Sequence, residues 1–384
     1  MKFSVLLPTR NGGRFLSHCM HSILDEPYQD MELVVSDNAN TDETKKVIHS
    51  FISDKRLKVV TLEEPVCVTE NWNRALQSSR GDYVLMMGDD DCLLPGYFSR
   101  MAEVLHAYHD PDCVTYNAYS YVAPHSISGN ANSFYKDPFF NFGPDFTREG
   151  LILTEKRLSI VRDMFSFRNR IPLNMQTTLM SRKAMNTIKG GAFQPPFPDH
   201  YALNSLLLTV NSWVFLPEKM LVVGVSPKSF GHYVYSDKQD EGKKYLGINS
   251  DFKGRLAGIE LNNCMYVWLQ LLKTNYPELL SAVEISRANY VRRQVYSWYL
   301  QYRSRAASGG DIIRWMGKLS FFDWLCVLTI FFDTQSWQRL FLLLAGAKKS
   351  KVQSLWQGAI LLKDISNIKE FADWINKQNV KESV

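Results

Sequence analysis

Tyr83-Val84-Leu85-Met86-Met87-Gly88-Asp89-Asp90-Asp91 is the stretch that decides how this chain is read. Five apolar residues in a row form a strand buried on both faces, because a half-exposed strand would alternate polar with apolar. The run stops at Gly88 and delivers three carboxylates to the strand tip. Adjacent carboxylates repel one another and raise each other's pKa unless a cation shares the site. A single Asp suffices to cap a helix, so three exceed what a cap needs. Mg²⁺ or Mn²⁺ held by one or two carboxylates together with substrate phosphates is the cofactor such a tip favours.

Outward from this strand, short β-rich runs alternate with helical patterns. Phe3 to Leu7, Glu32 to Val35, Leu57 to Leu62 and Cys113 to Tyr116 read as further strands. Gly13 to Leu24, Thr41 to Ser53, Val68 to Ser79 and Gly96 to Tyr108 read as helices between them. This rhythm predicts an α/β fold with a Rossmann-like parallel sheet, in which ligands meet the C-terminal strand ends. Strand one runs into Pro8-Thr9-Arg10-Asn11-Gly12-Gly13, a junction expected to offer free backbone N–H groups to a phosphate. Strand two ends at Ser36-Asp37, where the carboxylate is placed to accept hydrogen bonds from a base or ribose.

These segments together resemble the glycosyltransferase family 2 enzymes of GT-A fold. The resemblance covers the first 118 residues and rests on Ser4 to Asn11, on Val34 to Asp42 and on Gly81 to Pro95, in that order and spacing. It implies a mixed central sheet and a nucleotide-sugar donor held by Pro8, Thr9, Arg10, Asn11 and Asp37. Asn73 matches a family position near the donor; Trp72 stands where the family often has Arg, with Arg74 following, so the donor contact shifts toward Arg74. The family's acidic motif, counted back from Pro95, makes Asp90 the preferred metal ligand, with Asp89 and Asp91 on ribose, metal or water. Lys189 to Leu203 resembles the acceptor-side segment, which implies Asp199 as the catalytic base, although Pro198 stands where the family often has Glu. His232 lies where several relatives carry a metal or diphosphate ligand.

The same resemblance implies an inverting transferase, of UDP-sugar type, acting on a lipid-linked or growing polysaccharide such as a bacterial capsule or O-antigen. Two alternatives stand beside it. One is a non-catalytic membrane scaffold of the same fold; the other is a nucleotidyltransferase, whose basic triphosphate loop would have to be built from Pro8 to Gly13 with its single Arg.

At 384 residues the chain exceeds one ordinary core, and the expected division is 1–250 for the catalytic domain and 251–384 for a helical region. Within the first, 1–118 forms the donor half and 119–250 the acceptor half. Residues 119–150, rich in Pro, Gly, Ser and Asn, read as a long loop covering the cleft. From Gly254 the pattern is helical throughout. Residues 251–384 carry 18 basic and 11 acidic groups, against 26 and 28 in residues 1–250. Aromatic and basic residues over 285–351 suit either a peripheral membrane surface or a packed bundle, with a homo-oligomer left open. The basic residues are spread among apolar runs rather than gathered into a stripe, which excludes nucleic acid as the expected partner. Six scattered cysteines, no C-x-x-C pair and a first apolar stretch broken by Pro8 point to a reducing cytoplasm, and the lipid-linked acceptor that the resemblance implies adds a place at the inner face of the membrane.

Overall fold

The computed structural model describes residues 2–126, 131–139, 146–167, 174–226, 244, 247, 250–258, 260–303, 305–329 and 358–382. Strand and helix alternate as β1 (Phe3–Thr9), α1 (Gly13–Leu24), β2 (Met31–Asp37), α2 (Thr44–Ser50), β3 (Leu57–Thr61), α3 (Val68–Ser78), β4 (Tyr83–Met86), β5 (Cys92–Leu93), α4 (Tyr97–Ala107) and β6 (Cys113–Val122). β1 lies between β2 and β4, and β3 follows β2, all in parallel.

The strand period of two sorts the apolar residues onto opposite faces. Val5, Leu7, Leu33, Val35 and Leu85 pack with Leu16, Met20 and Ile23 of α1 and Phe98 and Met101 of α4. Leu6, Val34, Val84 and Met86 join the other cluster, with Ala75 of α3. Both faces being covered explains why these strands read as unbroken apolar runs.

The chain continues through β7 (Ser133–Lys136), β8 (Gly150–Leu151), α5 (Thr154–Phe165), β9 (Thr178–Ser181), α6 (Arg182–Met185), α7 (Pro198–Thr209) and β10 (Trp213–Val225). β9 runs antiparallel between β4 and β6, whereas β10 is parallel to β6, so the central sheet is mixed. One sequence expectation changes here. The long loop at 119–150 contains strand: β6 extends to Val122 and β7 pairs antiparallel with its end, because Tyr119 and Tyr121 are β-favouring residues with a core to enter. β10 runs unbroken over Trp213–Val225, with register shifts between Leu216 and Leu221 that absorb Pro217, which has no N–H to give.

Beyond residue 258 come α8 (Glu260–Asn275), α9 (Pro277–Leu280), α10 (Arg287–Arg303), α11 (Gly309–Met316), α12 (Phe321–Leu328), β11 (Ile360–Leu362) and α13 (Ile368–Glu382). α9 and α10 are separated at 281–286, where the Ser286 N–H donates to the Phe165 carbonyl at 2.9 Å. The wholly helical pattern is broken, since β11 pairs antiparallel with β7 and joins the central sheet. The helix expected at Ser336 to Ala345 lies outside the described residues.

Trp268 and Leu272 of α8 and Tyr290 and Trp298 of α10 share a cluster with Leu203 and Leu206 of α7. α13 returns to the first half of the chain and lays Phe371 and Ile375 on Tyr119, Tyr121 and Val222. Among the described residues no helix is long and apolar enough to cross a membrane.

Candidate active site

The acidic turn after β4 gives its three carboxylates three different settings. Asp91 is 1% exposed, and its oxygens accept the Gly88 N–H at 2.7 Å and the Gly224 N–H at 2.9 Å. Burial, and then the neighbouring Asp90 charge, push its carboxyl well above the usual range against the pull of those N–H donors. Asp91 therefore binds the turn to β10. Asp89 accepts the Thr9 hydroxyl at 2.6 Å, which ties the tip of β4 to the tip of β1. Asp90 borders a cavity of about 350 Å³.

Glycines let these parts meet. A Cβ on Gly224 would stand 1.8 Å from the Asp90 carbonyl oxygen, and one on Gly12 would stand 2.5 Å from an Asp89 carboxylate oxygen. A side chain at 224 would force the turn or the strand to shift, and one at 12 would displace the Asp89 and Thr9 side chains.

The junction after β1 differs from expectation. Asn11 N–H donates to Asn40 Oδ1 and Gly13 N–H to Thr44 Oγ1, so these two N–H groups are engaged within the protein. The loops after β1 and β2 are thereby stitched together, with Asn11 Oδ1 accepting the Thr41 N–H at 2.9 Å. Asn11 and Ala39 both adopt positive φ, +56° and +52°, a conformation that costs about 1–3 kcal/mol and persists only where the surroundings impose it. Asp37 is buried, and one of its oxygens accepts from the Asn40 N–H at 3.0 Å and the Asn40 side-chain amide at 2.6 Å. Pro8 and Thr9 line the same strand end, while Arg10 is exposed.

The cavity beside Asp90 runs between the first turns of α1 and α13. Arg14, Phe15 and His18 form one wall, Tyr121 and His125 another, and Ser366 to Ile368 close it. Burial, and then the charge of His21, lower the His18 pKa. The lining mixes aromatic rings with hydrogen-bonding groups, which suits a polar ligand with apolar faces.

On the acceptor side, Asp199 is half-buried in the first turn of α7, behind Pro198. His200 stacks on Trp268, ring centroids 5.6 Å apart and 4° from parallel, which makes it a packing residue. The Asn73 side-chain amide donates to the Phe193 carbonyl at 3.0 Å and accepts the Phe193 N–H at 3.4 Å. It holds the segment that leads to Asp199. Arg74 lies 4.0 Å from Glu70. His232 lies outside the described residues.

Among the described residues no three His, Cys, Asp or Glu side chains gather to hold a metal ion by themselves. Asp89 and Asp90 nevertheless fit a divalent ion whose remaining ligands come from a diphosphate and water, the usual arrangement for Mg²⁺.

Sequence reasoning missed Gly224 and residues 366–368. Gly224 carried a usable signal, a glycine inside the apolar run Leu221 to Val225, where close backbone approach is the usual reason. Residues 366–368 carried none, since only the return of α13 brings them to Asp90.

The strand order, the mixed sheet and the acidic turn at the β4 tip describe an α/β fold of GT-A type. Residues 4–171 match the model of glycosyl transferase family 2. It is 28% identical over 153 residues to glycosyltransferase GlyG of Streptococcus pneumoniae serotype 4, covering 40% of this chain and 48% of that protein. Over 104 residues it is 32% identical to the GalNAc(5)-diNAcBac-PP-undecaprenol beta-1,3-glucosyltransferase of Campylobacter jejuni, covering 27% and 34% respectively. The chain thus spans about half or less of the length of these relatives. The crystal structure of Staphylococcus aureus TarS 1-349 in complex with UDP-GlcNAc superposes with a TM-score of 0.48 at 16% identity, over 80% of this chain and 83% of that one.

Proposed function

We propose that the protein transfers a sugar from a nucleotide donor, of UDP-sugar type, to a lipid-linked or growing polysaccharide in bacterial surface-glycan synthesis, with inversion. The observation that carries this reading is the acidic turn: Asp91 is locked into the backbone, Asp89 is tied to Thr9, and Asp90 borders the cavity. The name of the Campylobacter relative, which carries a polyprenol diphosphate, supports a lipid-linked acceptor. Such an acceptor places the work at the inner face of the cytoplasmic membrane.

Asp89 and Asp90 are the residues that would hold Mn²⁺ or Mg²⁺. A bound ion would neutralise charge growing on the departing diphosphate. The protein's own groups do the rest. Pro8, Thr9 and Asp37 bound the nucleotide pocket, and Asp199 takes the proton from the acceptor hydroxyl as it attacks the anomeric carbon from the opposite face. A single displacement inverts the configuration there.

Release of nucleoside diphosphate from a panel of sugar nucleotides, with and without Mn²⁺ or Mg²⁺, tests this reading on wild type, Asp90→Ala and Asp199→Asn. Metal-dependent turnover reduced at least about 10²-fold in both variants is the expected result. Wild-type rates in either variant would remove that residue from the mechanism. A folded wild type that turns over no donor, even with membrane lipids added, would favour the scaffold alternative.

A further inference from the structure

We propose that α11 and α12 form a docking surface for an anionic phospholipid membrane, with the exposed apolar side chains of both helices entering the interface and a basic rim meeting the headgroups. The proposal deepens the membrane placement above, yet it stands on different residues from the transferase site.

α12 buries its acid and exposes apolar side chains. Its sequence is Phe-Phe-Asp-Trp-Leu-Cys-Val-Leu, and the one fully buried residue among these eight is the acid, Asp323, 5% exposed. Asp323 is held by a bidentate pair with Arg287, both hydrogen bonds at 3.0 Å, and by a capping box with Ser320. Phe321 and Phe322 are 73% and 75% exposed, and Leu325 and Leu328 are exposed beside them. Trp324, Cys326 and Val327 pack partly buried against the core, so this helix is apolar outward as well as inward, whereas the outer face of an ordinary surface helix is polar.

α11 repeats the feature. In Gly309–Met316, Ile312 and Trp315 pack half-buried against the core, while Ile313, 73% exposed, and Met316 face solvent. Two successive helices that present large apolar side chains to solvent require a covering surface.

Charge decides what that surface is. Residues 287–328 contain seven basic and two acidic residues. Asp323 is neutralised by Arg287, and Asp311 is held by its own capping box 3.5 Å from Arg314. Arg303, Arg305, Arg314 and Lys318 are exposed around the apolar face. Two copies of this face brought together would oppose like charges, whereas an anionic bilayer complements both the rim and the apolar centre.

The test is co-sedimentation of the full chain, without any sugar nucleotide, with vesicles of phosphatidylcholine alone or mixed with phosphatidylglycerol. Wild type is expected on the anionic vesicles and to leave them as KCl is raised. Phe321→Ser with Phe322→Ser, and separately Arg314→Glu with Lys318→Glu, are expected to weaken binding by about tenfold or more, each basic residue near the surface being worth about fivefold. Circular dichroism and donor hydrolysis equal to wild type establish that the variants fold. Equal binding to neutral and anionic vesicles, no binding to either, or a wild-type dimer that the Phe pair dissolves without any lipid association would overturn the proposal. Because the readout is lipid association alone, failure of the transferase reading leaves this result interpretable.

Discussion

Replacing Gly224 by alanine tests whether the contact between β10 and the acidic turn holds the active site in place. The new Cβ would lie 1.8 Å from the Asp90 carbonyl oxygen and 2.6 Å from its carbonyl carbon, so the turn or the strand must move by more than about 1 Å. That movement breaks the 2.9 Å bond from Gly224 N–H to Asp91. Losing a hydrogen bond to a charged group costs about 1.5–3 kcal/mol, and overpacking adds about 1–3 kcal/mol. Together they predict destabilisation of roughly 3–5 kcal/mol, read as a lowered midpoint in thermal or urea unfolding. Where the protein remains folded, displacement of Asp90 by that distance should reduce donor turnover by about 10²-fold. Gly150→Ala is the control, since its Cβ would meet nothing within 4 Å. An alanine at 224 with wild-type stability and turnover would refute the claim that this close approach positions Asp90.

Three further outcomes are expected. Asn73→Ala should lower turnover by about tenfold while nucleoside diphosphate affinity, measured by calorimetry, stays within about twofold, because Asn73 contacts Phe193 on the way to Asp199. Phe371→Ala should destabilise the fold by about 3–5 kcal/mol in denaturant titration, since its ring sits 5.1 to 6.0 Å from those of Tyr119, Tyr121, Tyr135 and Trp374. Burial opposes ionisation of Glu32, but hydrogen bonds from Ser4 and from the Arg80 and Gly81 N–H groups, with Lys2 nearby, outweigh it and hold its carboxyl below the ordinary value. Its contribution is therefore complete above the ordinary Glu range and lost as pH falls through the depressed value; Glu32→Gln should flatten that acid limb of the stability profile.

The parallel half of the sheet was legible because each inner strand is buried on both faces, which writes itself as unbroken apolar runs such as Val5-Leu6-Leu7 and Leu33-Val34-Val35. β7 and β11 were not legible. Ser133–Lys136 and Ile360–Leu362 are strands of four and three residues, too short to show a period, and β11 pairs with β7 across 225 or more residues of sequence, a contact of which local pattern holds no record. The division of the C-terminal helices was equally hidden. α8 and α10 bury Trp268, Tyr290 and Trp298 in the cluster they share with α7, whereas α11 and α12 leave Ile313, Phe321 and Phe322 in solvent. Local pattern does not separate the two cases; the packing does.

The acidic turn shows the same limit at the scale of three residues. Sequence marked Asp89, Asp90 and Asp91 as one cluster because their repulsion is a property of the group. In the folded chain successive residues of a turn point in different directions, and the partners that separate them come from elsewhere: Thr9 from β1 for Asp89, and the Gly224 N–H from β10 for Asp91. With both oxygens of Asp91 engaged by backbone donors, Asp91 can position the turn without leaving it. In the proposed mechanism the ion-binding and substrate-facing tasks then fall to Asp89 and Asp90, and Asp91→Asn tests that division of roles. An amide offers one acceptor where two N–H groups wait, so the variant should lose about 1–3 kcal/mol of stability by leaving one donor unpaired. Its dependence on Mn²⁺ concentration should nevertheless match that of the wild type, whereas Asp90→Ala should shift that dependence and leave the unfolding midpoint nearly unchanged. The opposite assignment, a stable Asp91→Asn with weakened metal dependence, would make Asp91 a ligand after all.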